Sequence, residues 1–298
     1  MSPGARAREL AALQEELARA GYIAEAPLAA ALLLMQDLGR PLLLEGDAGV
    51  GKTEVAKVLA NVRHARLIRL QCYEGLDAHT AMYEWNYQRQ LLAIKLLEED
   101  ERGIAEKEQD IFSERYLLKR PLLEAISTDT PAVLLIDEVD RADEEFEAFL
   151  LEILSDFQIS IPELGTVSAV SIPRVVLTSN GTRELSDALR RRCLYHYVDF
   201  PEIDREARII LVRLPGIDTA LALQVARMVA AIRKEDLAKL PGVAESLDWA
   251  ATLAGLGVAD FRQAPEAVHE TLVCLLKTHE DRAQISREVV DRLLGKVA

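Results

Sequence analysis

The residues best suited to chemistry sit in one run, Gly46-Asp47-Ala48-Gly49-Val50-Gly51-Lys52-Thr53. The spacing Gly-x-x-x-x-Gly-Lys-Thr is the phosphate-loop pattern, and its flanks agree with it. An apolar run, Pro41-Leu-Leu-Leu-Glu45, comes before it, and a helical pattern starting at Thr53-Glu54 comes after it. The oxygens of a triphosphate must be met by several backbone N–H groups at once. Glycine is the residue that lets the main chain curl inward without side chains in the way. The helix that follows points its partial positive end at the same place. Lys52 adds a full charge near the terminal phosphates, and the Thr53 hydroxyl is a ligand for Mg²⁺.

Three further runs end in polar groups. Ala132-Val-Leu-Leu-Ile-Asp137-Glu138 is an apolar strand closing on adjacent carboxylates, which face differently because side chains alternate along a strand. Asp137 suits a metal's water shell, and Glu138 suits a general base on water. Alone, such a pair is more often the acidic start of a helix. Arg174-Val-Val-Leu-Thr178-Ser179-Asn180 delivers an amide at its tip, with Asn180-Gly181 as an ordinary turn for its alternative. Ala188-Leu-Arg190-Arg191-Arg192-Cys193 offers an arginine for a neighbouring subunit's γ-phosphate, or else a solvated helix end.

Holding these tips level requires a sheet. Helices are expected over 5–20 (apolar Leu10, Leu13 and Leu17, stopped by Gly21), 24–39, 53–62 and 143–154. Strands are expected over 41–45, 66–70, 132–136, 174–179 and 194–198, with a hairpin over 159–172 around Pro162 and Gly165. Residues 86–127 read as long, charged and helical, with Glu98–Glu114 as a solvated face. From Pro201 onward only helical patterns remain, so the chain reads as a parallel α/β domain followed by a helical one. In Tyr83-Glu-Trp85-Asn-Tyr87 the rings recur at every second position. They read either as a patch gripping a protein client or as core packing.

Bulk properties narrow the classes. Basic residues number 35 against 49 acidic, a net charge of −14 that counts against a nucleic-acid surface. Cys72, Cys193 and Cys274 lie far apart without a CxxC pair, which fits a reducing cytoplasm and gives no metal signature. The stretch MSPGARAREL holds no apolar signal segment, and the longest apolar run, Pro27–Met35, is too short to span a bilayer.

Taken in order, GDAGVGKT, VLLIDEVDRA, LTSN and ALRRRC resemble the AAA+ ATPases. Within them, RLQCYEGLD, EWNYQRQLL, DEVDRADEEFEAFLLEILSD and QISIPELG are most similar to the MoxR family. The pair QCYEGLD and YEWNYQRQ looks most like its CoxD-like branch, which accompanies molybdenum-type carbon-monoxide dehydrogenases. The resemblance implies an α/β P-loop NTPase fold with a parallel five-stranded sheet flanked by helices. It divides the chain into an N-terminal helix (1–21), an ATPase core (22–200, helical insertion about 86–127) and a small all-helical lid (201–298).

By motif position, Gly46 to Glu54 would bind ATP, with Thr53 and Asp137 on the Mg²⁺ side and Glu138 catalytic. Asn180 would be the first sensor, and Tyr22 and Ile23 would lie at the adenine. Arg192, directly before Cys193, would be the finger, with Arg191 the second choice. Many relatives carry a lid arginine in a pattern like S-P-R-A-L. Here Gly242-Val-Ala-Glu245-Ser-Leu247-Asp-Trp249 stands at that point with Glu245 near the arginine's position, so no second sensor is assigned.

The resemblance further implies a cytoplasmic homo-oligomeric ring, commonly a hexamer, with ATP at subunit interfaces. Its members are chaperones that mature enzyme complexes with a von Willebrand A-domain partner, the client here being an apo-enzyme awaiting its metal centre. The competing expectations are a nucleotide-switched scaffold with little turnover and a nucleic-acid motor, since RRRC also resembles clamp loaders.

Overall fold

The computed structural model describes residues 3–96 and 103–297. In chain order it contains α1 (Pro3–Arg19), α2 (Ala26–Leu38), β1 (Leu42–Glu45), α3 (Lys52–Val62) and β2 (Leu67–Gln71). Next come α4 (Ala78–Met82), β3 (Tyr83–Trp85), α5 (Tyr87–Leu96), α6 (Ile104–Ile111), β4 (Leu117–Lys119) and α7 (Pro121–Ile126). The sheet region continues with β5 (Val133–Asp137), α8 (Glu144–Asp156), β6 (Gln158–Ile161), β7 (Gly165–Ser168), β8 (Arg174–Ser179), α9 (Asp187–Arg192) and β9 (Leu194–Tyr197). Helices follow: α10 (Ile203–Arg213), α11 (Thr219–Ile232), α12 (Val243–Gly255), α13 (Pro265–Thr271), α14 (His279–Gln284) and α15 (Arg287–Val297).

Two compact units divide the chain. One comprises Ala30–Glu45 and Leu59–His196 and holds a five-stranded sheet in the order β2-β5-β8-β1-β9. Its pairs β2–β5, β5–β8 and β1–β8 are parallel. All five residues of β5 are buried, and so are five of the six in β8. Central parallel strands are covered on both faces, so only near-continuous apolar runs can serve there. The register sets Leu44 opposite Thr178 and Ile136 opposite Leu177, which brings the carboxyl ends of β1, β5 and β8 to one level. Helix α8 begins where the Asp143 carboxylate accepts the Phe146 N–H at 2.8 Å, and it ends on Phe157 in a left-handed conformation.

The region 86–127 is helical over α5, α6 and α7, as expected, but β4 interrupts it and pairs with β3 in a two-stranded antiparallel ribbon, Tyr83 opposite Lys119 and Trp85 opposite Leu117. Strands of three residues are too short to display a period. The ribbon also decides the aromatic run. Tyr83 and Trp85 do point the same way, but inward, each 6% exposed, and Trp85 meets Phe112 edge-on at 5.4 Å. Tyr87 opens α5 and is 65% exposed. The three rings therefore form no common gripping patch. Residues Glu98–Arg102 of the charged stretch lie outside the described residues, and in the remainder Glu106 and Glu108 are exposed on α6.

The other unit comprises Met1–Ala29, Gly46–Val58 and Tyr197–Ala298. Its helices α10–α15 close on Ile210, Val225, Val229, Trp249, Phe261, Leu275 and Val290. Two buried polar links tie this core. The Trp249 Nε1–H donates to Thr271 Oγ1 at 2.8 Å. Arg233 clasps the fully buried Glu206 through both guanidinium ends at 2.7 and 2.8 Å, and Ser246 Oγ donates to the same carboxylate at 2.6 Å. Buried charges of this kind persist only when paired and hydrogen-bonded.

Candidate active site

The loop between β1 and α3 is built on glycines that no other residue can replace. A Cβ on Gly46 would collide with the Val198 carbonyl oxygen. Gly49 has φ +82°, and a Cβ there would sit 2.8 Å from Gly242 Cα. Lys52 is 6% exposed, and its Nζ donates to the Gly46 and Asp47 carbonyls at 2.7 Å each. Asp47, Ala48 and Gly49 are exposed, Val50 is buried, and Gly51, Thr53 and Glu54 are half-buried. The loop thus offers a bare main chain with an ammonium folded beneath it, a surface complementary to phosphate oxygens.

Two segments of the same unit pack on this loop. Tyr22 is buried, its ring 3.9 Å from where a Gly51 Cβ would stand, and burial pushes its hydroxyl up to about 12 while Arg205 pulls the other way. Arg205 donates to Ile23 O at 3.2 Å and pairs with Glu25 at 2.9 Å, while Arg213 pairs with Glu54 at 2.9 Å. Helix α12 begins on the loop itself. The Val243 N–H donates to Gly49 O at 2.9 Å, and Gly242 and Gly49 meet backbone to backbone. Glu245 caps this turn through the Gly242 N–H at 3.1 Å, which occupies the carboxylate standing near the sensor-arginine position.

The carboxylate tip belongs to the sheet unit. Asp137 is 2% exposed at the end of β5. Thr178 Oγ1 donates to its Oδ1 at 2.6 Å, and Arg69 donates to its Oδ2 from Nε at 3.0 Å and from Nη2 at 2.6 Å. Glu138 follows in a left-handed conformation (φ +55°), its N–H donating to Thr178 Oγ1 at 2.9 Å. Its side chain is 33% exposed against 3% for Asp137, and it pairs with Arg141 at 3.2 Å. The two carboxylates thus face differently, one locked and one open to water.

Asn180 follows β8 in a loop held by Asp140. The Asn180 N–H donates to both Asp140 oxygens at 3.2 Å, and the Thr182 N–H and Oγ1 donate to Oδ2 at 2.9 and 2.6 Å. Burial raises the Asp140 carboxyl, but the Thr182 and Asn180 hydrogen bonds outweigh it and leave the group below its ordinary value. A second buried carboxylate, Glu147, takes the Ser186 N–H at 2.9 Å and pairs with Arg183.

Helix α9 then carries the three arginines. Arg190 pairs with Glu45 at 2.9 Å and lies over the Tyr195 ring. Arg192 donates to Ser155 Oγ at 2.5 Å and to Ala188 O at 3.4 Å. Arg191 is exposed, and among the described residues its side chain makes no hydrogen bond or ion pair. Arg40 donates to the Arg191, Arg192 and Cys193 carbonyls at 2.6, 3.2 and 3.4 Å, closing the helix end.

Sequence reasoning missed Arg69, Thr178, Asp140, Glu147 and Arg40 as parts of this arrangement. A signal existed for two of them: an arginine inside the strand run Leu67-Ile-Arg69-Leu-Gln71, and an aspartate three residues past Asp137. Glu147 and Arg40 look like any surface charge until the fold is known.

A glycine loop between a strand of a parallel sheet and a helix opening on Lys52-Thr53, with carboxylates closing another strand of that sheet, defines a P-loop NTPase. Residues 41–193, more than half of the chain, match the family described as AAA domain (dynein-related subfamily), and the chain belongs to it. Membership implies nucleotide binding. The gas vesicle ATPase GvpN of Haloferax mediterranei is 26% identical over 209 residues, 66% of this chain and 58% of GvpN. The chaperone protein ClpB of Chlamydia trachomatis is 24% identical over 226 residues, 72% of this chain and 23% of ClpB. The chain therefore spans less than two thirds of either relative. A solved chain of Thermotoga maritima RuvB, the P216G mutant, is 18% identical, covering 82% of this chain and 67% of its own, with a TM-score of 0.47. Among the described residues no helix is long and apolar enough to cross a membrane.

Proposed function

We propose that this chain hydrolyses ATP and uses the cycle to remodel a protein client in the manner of MoxR-type AAA+ proteins. The observation that carries hydrolysis is the divided pair at the end of β5. Asp137 is buried and doubly held, and Glu138 is turned into a left-handed bend with its carboxylate partly in water. A scaffold that only senses nucleotide has no use for the second carboxylate.

In this reading the loop amides and Lys52 take the phosphates. Thr53 and Asp137 supply hard oxygen donors, which fit Mg²⁺. Among the described residues no three His, Cys, Asp or Glu cluster as metal ligands, so the ion would share its shell with phosphate oxygens and water. Mg²⁺ would neutralise charge on those phosphates. Glu138 takes the proton of the attacking water while the water oxygen bonds to the γ-phosphorus and the bridging oxygen leaves with ADP. Asn180 orients that water, and Tyr22 and Ile23 flank the base. Arg191, exposed and unengaged among the described residues, is a better finger than Arg192, which Ser155 already holds. Lys52→Ala is expected to abolish nucleotide binding in calorimetry. Glu138→Gln should bind ATP and stop turning it over, and unchanged turnover would refute the base assignment.

One observation favours the scaffold reading: both carboxylates already engage arginines, Asp137 with Arg69 and Glu138 with Arg141. Turnover of the unmodified protein decides between the two. The branch-level job rests on resemblance: a hexameric ring with a von Willebrand A-domain partner, completing the metal centre of an apo-enzyme such as a molybdenum-containing carbon monoxide dehydrogenase. Co-purification from the native host, with native mass for the ring, tests it. A nucleic-acid motor would require salt-dependent DNA binding despite the net charge of −14.

A further inference from the structure

We infer that Asp140 is a positioning residue for ATP hydrolysis, fixing the loop Asn180–Thr182 so that the Asn180 amide is aimed at the reacting water. This rests on the assignment of Asn180 as sensor. Asp140 sits in a tight turn directly after Glu138, where the Arg141 N–H returns to Glu138 O at 3.0 Å. It is 2% exposed, and it takes every donor the loop presents on that side. The remaining loop amide, Gly181 N–H, is taken by Ser179 Oγ at 3.0 Å. All three backbone N–H groups of the loop are thus satisfied by side chains, and no amide is left to reward a different loop conformation.

The geometry favours a carboxylate. Four donor contacts converge on two oxygens, whereas an asparagine offers one acceptor and would turn its own N–H₂ toward a donor. Thr178 makes a second bridge between the same strands by joining Asp137 and the Glu138 N–H. With both bridges in place, the tip bearing the base and the tip bearing the amide move as one piece. A small misplacement of a positioning group costs a large factor in rate without weakening substrate binding.

The test uses the 298-residue chain and five variants: Asp140→Ala, Asp140→Asn, Thr182→Val, Asn180→Ala and the double variant Asp140→Ala/Asn180→Ala. Asp140→Ala should lower kcat about 10–100-fold, with ADP affinity by calorimetry within about twofold of the unmodified protein. Asp140→Asn should recover part of the loss. The double variant should be no slower than the slower single variant, because the two residues act as a unit. Thr182→Val removes one bond and keeps the backbone donor, so it should slow turnover less, at near-unchanged Tm. Full kcat in Asp140→Ala, additive losses in the double variant, or a parallel fall of kcat, affinity and Tm overturns the inference. If Asn180→Ala alone keeps full kcat, the sensor assignment has failed and the inference falls with it, a result distinct from the others.

Discussion

Asp137 shows how a single side chain is prepared before any ligand arrives. A carboxylate this deeply buried needs compensating donors, and Arg69 and Thr178 provide them. Replacing Arg69 with Ala removes the charged partner of that carboxylate. Unfolding in urea with chelator present is expected to show a loss of about 1–3 kcal/mol, partly restored by Mg²⁺ with ADP. The cysteines make a second point at this scale. Burial raises the Cys72 thiol to about 12, helped by the nearby Asp137, Asp140 and Glu138 carboxylates, and burial likewise raises Cys193 to about 12. Cys274 is half-buried. Mass spectrometry after alkylation at pH 8 should find Cys274 modified first, and all three thiols only in denaturant.

At the scale of elements, legibility followed burial. The runs 132–136 and 174–179 could be read as strands because central parallel strands cannot carry polar residues except at their tips. The ribbon of β3 and β4 could not, since its halves are short and far apart in sequence. Alternation correctly put Tyr83 and Trp85 on one face, but a pattern of period two does not say which face is buried. The seam between Gly49 and Gly242 had no sequence signal at all. A Cβ on Gly242 would lie 2.7 Å from Gly49 Cα and 2.9 Å from its carbonyl oxygen, both backbone atoms that cannot yield. Gly242→Ala should therefore cost about 1–3 kcal/mol in denaturant unfolding. Gly255→Ala is the control. It lies in the last turn of α12 with open space around it, and should be neutral or stabilising by about 0.5–1 kcal/mol.

For the whole molecule, three groups in the two units share one pH signature. Tyr22, Cys72 and Cys193 are all raised to about 12 by burial. In the unfolded chain they ionise at their ordinary values of 10.0, 9.0 and 9.0. A raised folded-state value means the contribution is complete below about 9 and is lost as pH climbs toward 12, because only the unfolded chain releases those protons early. Tm should accordingly fall across that window, and more shallowly in a Cys72→Ala/Cys193→Ala variant. At this scale the class of protein was readable from four short motifs, because phosphate chemistry dictates both residue types and order. The internal scaffolding of those motifs was not, since it is made by ordinary charges meeting across long stretches of chain. The meeting of Gly49 with Gly242 has a consequence for protein engineering. A chimera that takes its nucleotide loop from one parent and its C-terminal helices from another keeps this joint only when both donors supply a bare α-carbon, so the two positions have to be exchanged as a pair.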